Sequence, residues 1–246
     1  MPNSNAIFAS LSASDASALR PHLKSVHLES RRILFDVGDV IDSVYFPTSA
    51  VVSLVVGLST GEMVEGAMVG KDSIVGVAAA MDSKLAFTQA IVQLPGDAFV
   101  CDASAFKGVA MQSERLLSLL FRHEQAVYAQ AQQSTACMAA HDVRSRLCRW
   151  LLRARDLSGG DHLAFTQEFL AEMLGVRRTS VTFDAHALQQ AGLIKYSRGK
   201  IQILNVDGLH EGACECYETV RSQYAKLLGR NRKAHDARSM SGVAHG

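Results

Sequence analysis

Two arginines and a cluster of hydroxyl side chains stand directly after a glycine in Gly175-Val176-Arg177-Arg178-Thr179-Ser180-Val181-Thr182-Phe183. A guanidinium is a rigid fork of donors that fits phosphate oxygens and the O6/N7 edge of guanine. Serine and threonine hydroxyls both donate and accept. On one helix face these groups have the chemistry of nucleic-acid binding, pairing charge with phosphate and hydrogen-bonding to base edges. Helical register decides which of them face outward. Val181, Ala185 and Leu188 recur at helical spacing as the inward face of a helix over residues 177–190. Arg178, Thr179, Thr182, Phe183 and His186 then face out. Arg178 is placed for a bidentate guanine contact, worth about 1–3 kcal/mol of discrimination. Thr179 and Thr182 suit a base or a phosphate, Ser180 at the edge suits phosphate, and Phe183 has only an apolar surface to offer a thymine methyl.

A helix carrying such a face must be held at an angle to a second one. Thr166 is a suitable N-cap for a preceding helix through Phe169, Leu170 and Leu174, and is itself a candidate DNA contact. Gly175 ends that helix, since glycine adopts the left-handed conformation without penalty. Two helices joined by a short glycine turn make a helix-turn-helix. Ala191-Gly192 ends the second helix. Leu193–Tyr196 and Ile201–Leu204 then read as strands around Ser197-Arg198-Gly199-Lys200, a hairpin with a basic tip. The whole is a winged helix, with Arg177, Lys195, Arg198 and Lys200 as positioning contacts to phosphate.

Upstream, residues 26–106 alternate short apolar runs with turns such as Asp36-Val37-Gly38-Asp39 and Ser59-Thr60-Gly61-Glu62, the texture of an antiparallel β barrel or roll. One or two short helices precede it over 7–24. Residues 110–140 lack glycine and proline, and Leu117, Leu120, Val127, Ala131 and Met138 form an apolar stripe that predicts a long helix with a self-association seam. A second amphipathic helix over 142–157 carries Arg144, Arg146, Arg149, Arg153 and Arg155, either a phosphate-facing patch or a solvated face. A C-terminal helix over 214–230, with Cys216, Tyr217, Val220 and Tyr224 in its apolar stripe, is expected to pack on the winged helix. The fold class is α+β, divided as a sensor domain (1–109), a dimerisation helix (110–140), a winged helix-turn-helix (141–208) and a C-terminal helix with a basic, disordered tail (209–246).

Charge follows that division. Residues 1–112 hold 7 Lys and Arg against 11 Asp and Glu, whereas residues 113–246 hold 18 against 13, which assigns any polyanion to the back half. No apolar run is long enough to span a membrane and the N-terminus lacks a secretory pattern, so the expected location is cytoplasmic with no membrane partner. Cysteines 101, 137, 148, 214 and 216 form no C-x-x-C pair, and reduced thiols are expected. On one helix, Cys214 and Cys216 would diverge by about 200°, against joint metal ligation. Cys216 is expected in the core, and neither metal nor cofactor is expected. An enzyme is disfavoured: residues 33–111 contain no histidine for a metal-dependent barrel, and no nucleophile elbow, phosphate loop or dinucleotide fingerprint occurs.

The order of a β roll with D-x-G-D, a long helix, "TQEFLAEMLGVRRTSVTFDAHALQQAGLI" and a short wing resembles the Crp/Fnr family of transcription regulators. The resemblance covers residues 10–208. It implies a cyclic-nucleotide-binding-like roll that senses a signal, a homodimer paired along the long helix, a two-fold operator in double-stranded DNA, and RNA polymerase as a further partner. Two departures limit it. The recognition helix carries Thr179, Thr182 and Phe183 where the family often has E-x-x-S-R, so the operator differs. No arginine occurs between Arg32 and Arg115, and Thr88 or Gln89 stands where cyclic-nucleotide-binding members hold the phosphate, so the effector is unknown. An iron–sulfur centre of the oxygen-sensing branch is excluded because residues 1–100 contain no cysteine. The alternative is a dimeric signalling adaptor whose winged helix binds protein.

Overall fold

The structure, a computed structural model, describes residues 2–80 and 84–229; the basic tail from Arg230 lies outside the described residues. Asn5 caps helix α1 (Ala6–Ala9) and donates its amide to the carbonyls of Pro47 (2.9 Å) and Ser73 (2.8 Å), so a buried polar side chain ties the N-terminus to the roll. Helix α2 (Ala13–Leu19) follows, capped by Ser12. The roll comprises β1 (Lys24–Leu28), β2 (Ile33–Phe35), β3 (Ser43–Pro47), β4 (Val51–Gly57), β5 (Met63–Val69), β6 (Gln89–Leu94) and β7 (Gly96–Asp102). Two antiparallel sheets form it, in the orders β1-β7-β3 and β2-β6-β4-β5. Gly96 is required at the β6–β7 turn, where a Cβ would stand 2.5 Å from the Ala50 nitrogen.

Asp102 caps α3 (Ala103–Ala110) by accepting from Ser104 and Ala105 N–H. The long helix α4 (Glu114–Ala140) begins later than residue 110, because Ser113 accepts from Leu116 N–H and caps a fresh start. After it come α5 (Val143–Ser158), β8 (His162–Leu163), α6 (Gln167–Leu174), α7 (Arg178–Gln190), β9 (Ile194–Ser197), β10 (Lys200–Ile203), α8 (Val206–Gly212) and α9 (Cys216–Leu228). The short strand β8 adds a third member to the wing sheet, in the order β8-β10-β9. No helix among the described residues is long and apolar enough to cross a membrane.

One core fills the roll and reaches α3 and the start of α4 through Phe106, Leu116, Leu119 and Leu120. A second core joins the roll to everything after α4. Val51, Val55, Met68, Ile91 and Leu94 pack with Trp150, Leu151, Phe165, Leu170, Leu174 and Val181. Sheet β2-β6-β4-β5 is therefore covered on both sides, with Val52 in one core and Val51 and Val55 in the other. This accounts for the nearly continuous apolar character of β4, which lacks the alternation of a half-solvated strand.

Several expectations need correction. Leu120 is buried in the roll core, and Leu117 and Val127 pack against it, so the predicted seam serves largely to hold α4 onto its own chain. The arginines of α5 do not share one outward surface, because two of the five are buried. Arg153 is buried, pairing with Asp72 (2.6 Å) and donating to the Met68 carbonyl, while Arg146 is buried and donates to the Leu174 carbonyl. Arg144 pairs with Asp184 and Arg155 with Asp161. Helix α9 packs chiefly along α4: Val220 and Tyr224 meet Ala126, and the Tyr224 hydroxyl donates to Gln130 (2.9 Å).

The boundary between roll and helices also encloses a buried acid. Glu65 on β5 accepts from Ser53, from Gln93 and from the Trp150 indole (3.0 Å). Burial raises its pKa from 4.5 to about 7, against the opposing hydrogen bonds of Ser53 and Trp150 and the fields of Arg149 and Arg153. In the unfolded chain the carboxyl ionises near 4.5; between there and about 7 the folded state keeps a proton the unfolded state has lost. Stability from this group is thus full below the window, falls as pH rises through it, and levels off above. The shift corresponds to roughly 3–4 kcal/mol. Glu65→Gln should flatten that part of the curve of unfolding free energy against pH, measured by urea titration; an unchanged slope would count against the buried-acid account.

Candidate nucleic-acid interface

Local sequence rules build the helix-turn-helix. Thr166 Oγ1 accepts from Phe169 N–H (3.1 Å) and starts α6. Gly175 stops it in the left-handed region at φ 61°, and a Cβ there would also stand 3.2 Å from Val64 of β5. Val176 packs partly buried in the angle between the helices. Helix α7 turns Val181, Ala185 and Leu188 into the second core. Arg177, Arg178, Thr179, Thr182, Phe183 and His186 are exposed, and Ser180 is half-buried at the edge. Phe183 is 70% exposed, high for an aromatic side chain with no ring partner among the described residues.

The wing sits beside this face. Arg198 (φ 47°) and Gly199 (φ 75°) form a two-residue turn with both residues left-handed, which matches the twist of a tight hairpin. The Tyr196 amide donates to Gln189 Oε1 (2.7 Å), fixing the wing to α7. A groove runs between them, lined by Thr166, Gln167, Glu168, Arg178, Tyr196 and Arg198. Lys195, Arg198 and Lys200 are exposed. Together with Arg177 and Arg178 they make no ion pair among the described residues, so their charge is available to an outside anion. Glu168 is the acid of the groove.

Two expected contacts are partly engaged within the chain. Thr182 Oγ1 lies 2.7 Å from Gln167 Oε1 and 3.0 Å from the Arg178 carbonyl, so its one proton is committed and it offers an acceptor and a methyl outward. The Thr166 oxygen is the cap of α6. Arg144, one of the α5 arginines expected at a phosphate-facing patch or a solvated face, reaches Asp184 of α7 (3.1 Å) and lines a second groove with Thr179, Ser180 and Phe183. An arginine three residues before a buried Leu147-Cys148 pair gave no sequence signal of its place beside α7.

In the roll, Gln89, one of the two residues that the resemblance sets at the phosphate-holding position, donates to Asp36 Oδ1 (3.1 Å).

Comparison with known proteins agrees with this geometry. Residues 145–211 match the family described as the Crp-like helix-turn-helix domain. No curated protein matches the chain in sequence. Among solved structures, FixK2 from Bradyrhizobium japonicum is similar with a TM-score of 0.66 at 15% identity, covering 78% of this chain and 98% of that one. TTHB099, a CRP-family transcriptional regulator from Thermus thermophilus, gives 0.64 at 18% identity, covering 76% and 96%. The c-di-GMP-responsive global regulator CLP from Xanthomonas campestris gives 0.60 at 17% identity, covering 78% and 99%. Residues 145–211 thus match the Crp-like helix-turn-helix domain, and the chain as a whole, roll included, has the fold of solved Crp/Fnr-type regulators.

Proposed function

We propose that the chain is a sequence-specific transcription regulator that binds a two-fold DNA operator as a homodimer, each protomer placing α7 in the major groove. The observation that carries this reading is the exposed row Arg178, Thr179, Thr182, Phe183 and His186 on a helix whose opposite face is wholly buried. Arg178 reads a guanine, and Phe183 covers a thymine methyl. Arg177, Ser180, Lys195, Arg198 and Lys200 hold phosphates. No side chain caps the start of α7, which favours an approaching phosphate at its free amides.

The dimer seam in this proposal is the outward ridge of α4. Ser118, Phe121, Gln125, Tyr128, Gln132 and Thr135 are all exposed, and their spacing alternates three and four residues as a paired-helix seam requires. Phe121 is 62% and Tyr128 64% exposed. Ala131 and Met138, half-buried, flank that ridge. The roll senses a signal of unassigned chemistry, and RNA polymerase is the further partner of the bound dimer.

Fluorescence anisotropy with promoter-region duplex at two salt concentrations tests the DNA-binding reading. Four phosphate-contacting cations per protomer predict an affinity loss of about 10³–10⁵ between roughly 50 and 200 mM salt. Salt-independent binding, or none at low salt, contradicts it.

A further inference from the structure

Four metal-ligating side chains from distant parts of the sequence converge at the junction of α4 and α5. Cys137 and His141 lie one helical turn apart at the end of α4, and Cys214 and Cys216 flank the start of α9. Their ligand atoms all lie within 4.8 Å of one another. Cys214 precedes α9 and sits in the turn after α8, so the divergence expected of two residues on one helix does not apply. The three cysteines are buried and His141 is half-buried.

We propose that Cys137, His141, Cys214 and Cys216 bind one zinc ion, which clamps the α8–α9 turn onto the α4–α5 junction. The distances fit a single tetrahedral ion. Ligand edges around zinc are about 3.8 Å between two sulfurs and about 3.6 Å between sulfur and nitrogen, from bonds near 2.3 and 2.05 Å. Here the Cys137 and Cys214 sulfurs are 3.5 Å apart, and Cys216 Sγ lies 3.6 Å from His141 Nδ1. A disulfide needs sulfurs about 2.05 Å apart. It would also leave Cys216 and His141 without a role.

The surroundings are those of a metal centre. His141 Nε2 faces Glu215 Oε2 at 3.2 Å, the carboxylate–histidine pairing that fixes the tautomer and leaves Nδ1 free for a metal. Gln133 Nε2 donates to Cys216 Sγ at 3.0 Å. Three thiolates on a divalent ion leave one excess negative charge, and Arg149 projects its field onto both Cys137 and Cys214. The Arg149 Nε is buried without a hydrogen-bond partner among the described residues. On binding, each thiol ligand releases its proton to solvent and zinc changes no oxidation state. Soft sulfur with one imidazole in a tetrahedral set selects zinc over oxygen-preferring cations.

The test uses the full chain, purified without chelator and measured for metal by mass spectrometry. Stoichiometric zinc is expected, and replacement by cobalt(II) should give the intense visible bands and thiolate charge-transfer absorption of a tetrahedral sulfur-rich site. Cys214→Ser should lose the bound zinc, while Cys101→Ser and Cys148→Ser keep it. Glu215→Gln should bind zinc about 10–100-fold more weakly in competition with a chromophoric chelator. If the cysteine variants misfold, the cobalt spectrum of the unaltered chain decides alone. The proposal is overturned by a metal-free chain with a pale six-coordinate cobalt spectrum, by iron with acid-labile sulfide in place of zinc, or by a Cys137–Cys214 disulfide in chains alkylated inside the cell. None of these readouts depends on DNA binding.

Discussion

Replacing Phe121 and Tyr128 together by glutamate leaves the chain folded and monomeric, and weakens binding to a duplex with two half-sites by about 10²–10⁴-fold. Both rings are exposed, seven residues apart on the outward ridge of α4, and neither belongs to a core of the protomer. Two charges facing their own copies across a two-fold seam oppose pairing without disturbing the monomer. Leu120→Ala is the contrasting change. Leu120 is buried in the roll core, so its truncation costs about 2–5 kcal/mol of folding stability and acts on the protomer itself. Sedimentation velocity and thermal unfolding separate the two outcomes. A double variant that remains a dimer removes the seam from the outward ridge.

Arg178→Ala lowers affinity for the best operator by about 10–100-fold, corresponding to about 1–3 kcal/mol, and equalises the four bases at one position of each half-site. Arg178→Lys should recover phosphate-like affinity but little discrimination, because a lysine ammonium lacks the planar fork. Arg198→Ala, at the tip of the wing, should instead weaken all sequences alike and reduce the salt slope. Competition titration against duplexes permuted at single positions reads both effects. If Arg178→Ala weakens every sequence equally, Arg178 is a phosphate contact and another residue of the row reads the base.

The recognition segment was legible because its rules are local. A cap at Thr166, a glycine at 175, three apolar residues at helical spacing and a turn at Arg198-Gly199 each act within a few residues of their neighbours. The misreadings all concern long-range partners. The stripe through Leu117, Leu120 and Val127 did mark a buried face, but hydrophobicity alone does not say whether the cover is the roll or a second chain. The exposed ridge carries serine and glutamine beside its aromatics and gives a weak signal. The arginines of α5 looked solvent-facing by type, yet Arg153 finds Asp72, and Trp150 finds Glu65 at 85 residues' distance. Cys214 and Cys216 do not share a helix, because α9 begins only at Cys216, and their companions Cys137 and His141 lie more than seventy residues away in sequence.

The central claim is that two copies of α7 read one duplex together. Selection of bound sequences from random duplex DNA by the full chain tests it most directly. The account predicts an enriched motif with inverted half-sites whose centres lie about 34–36 Å, one helical turn, apart, each with a guanine whose selection disappears in Arg178→Ala. Enrichment of a single unpaired half-site, or no enrichment above the starting pool, would contradict it.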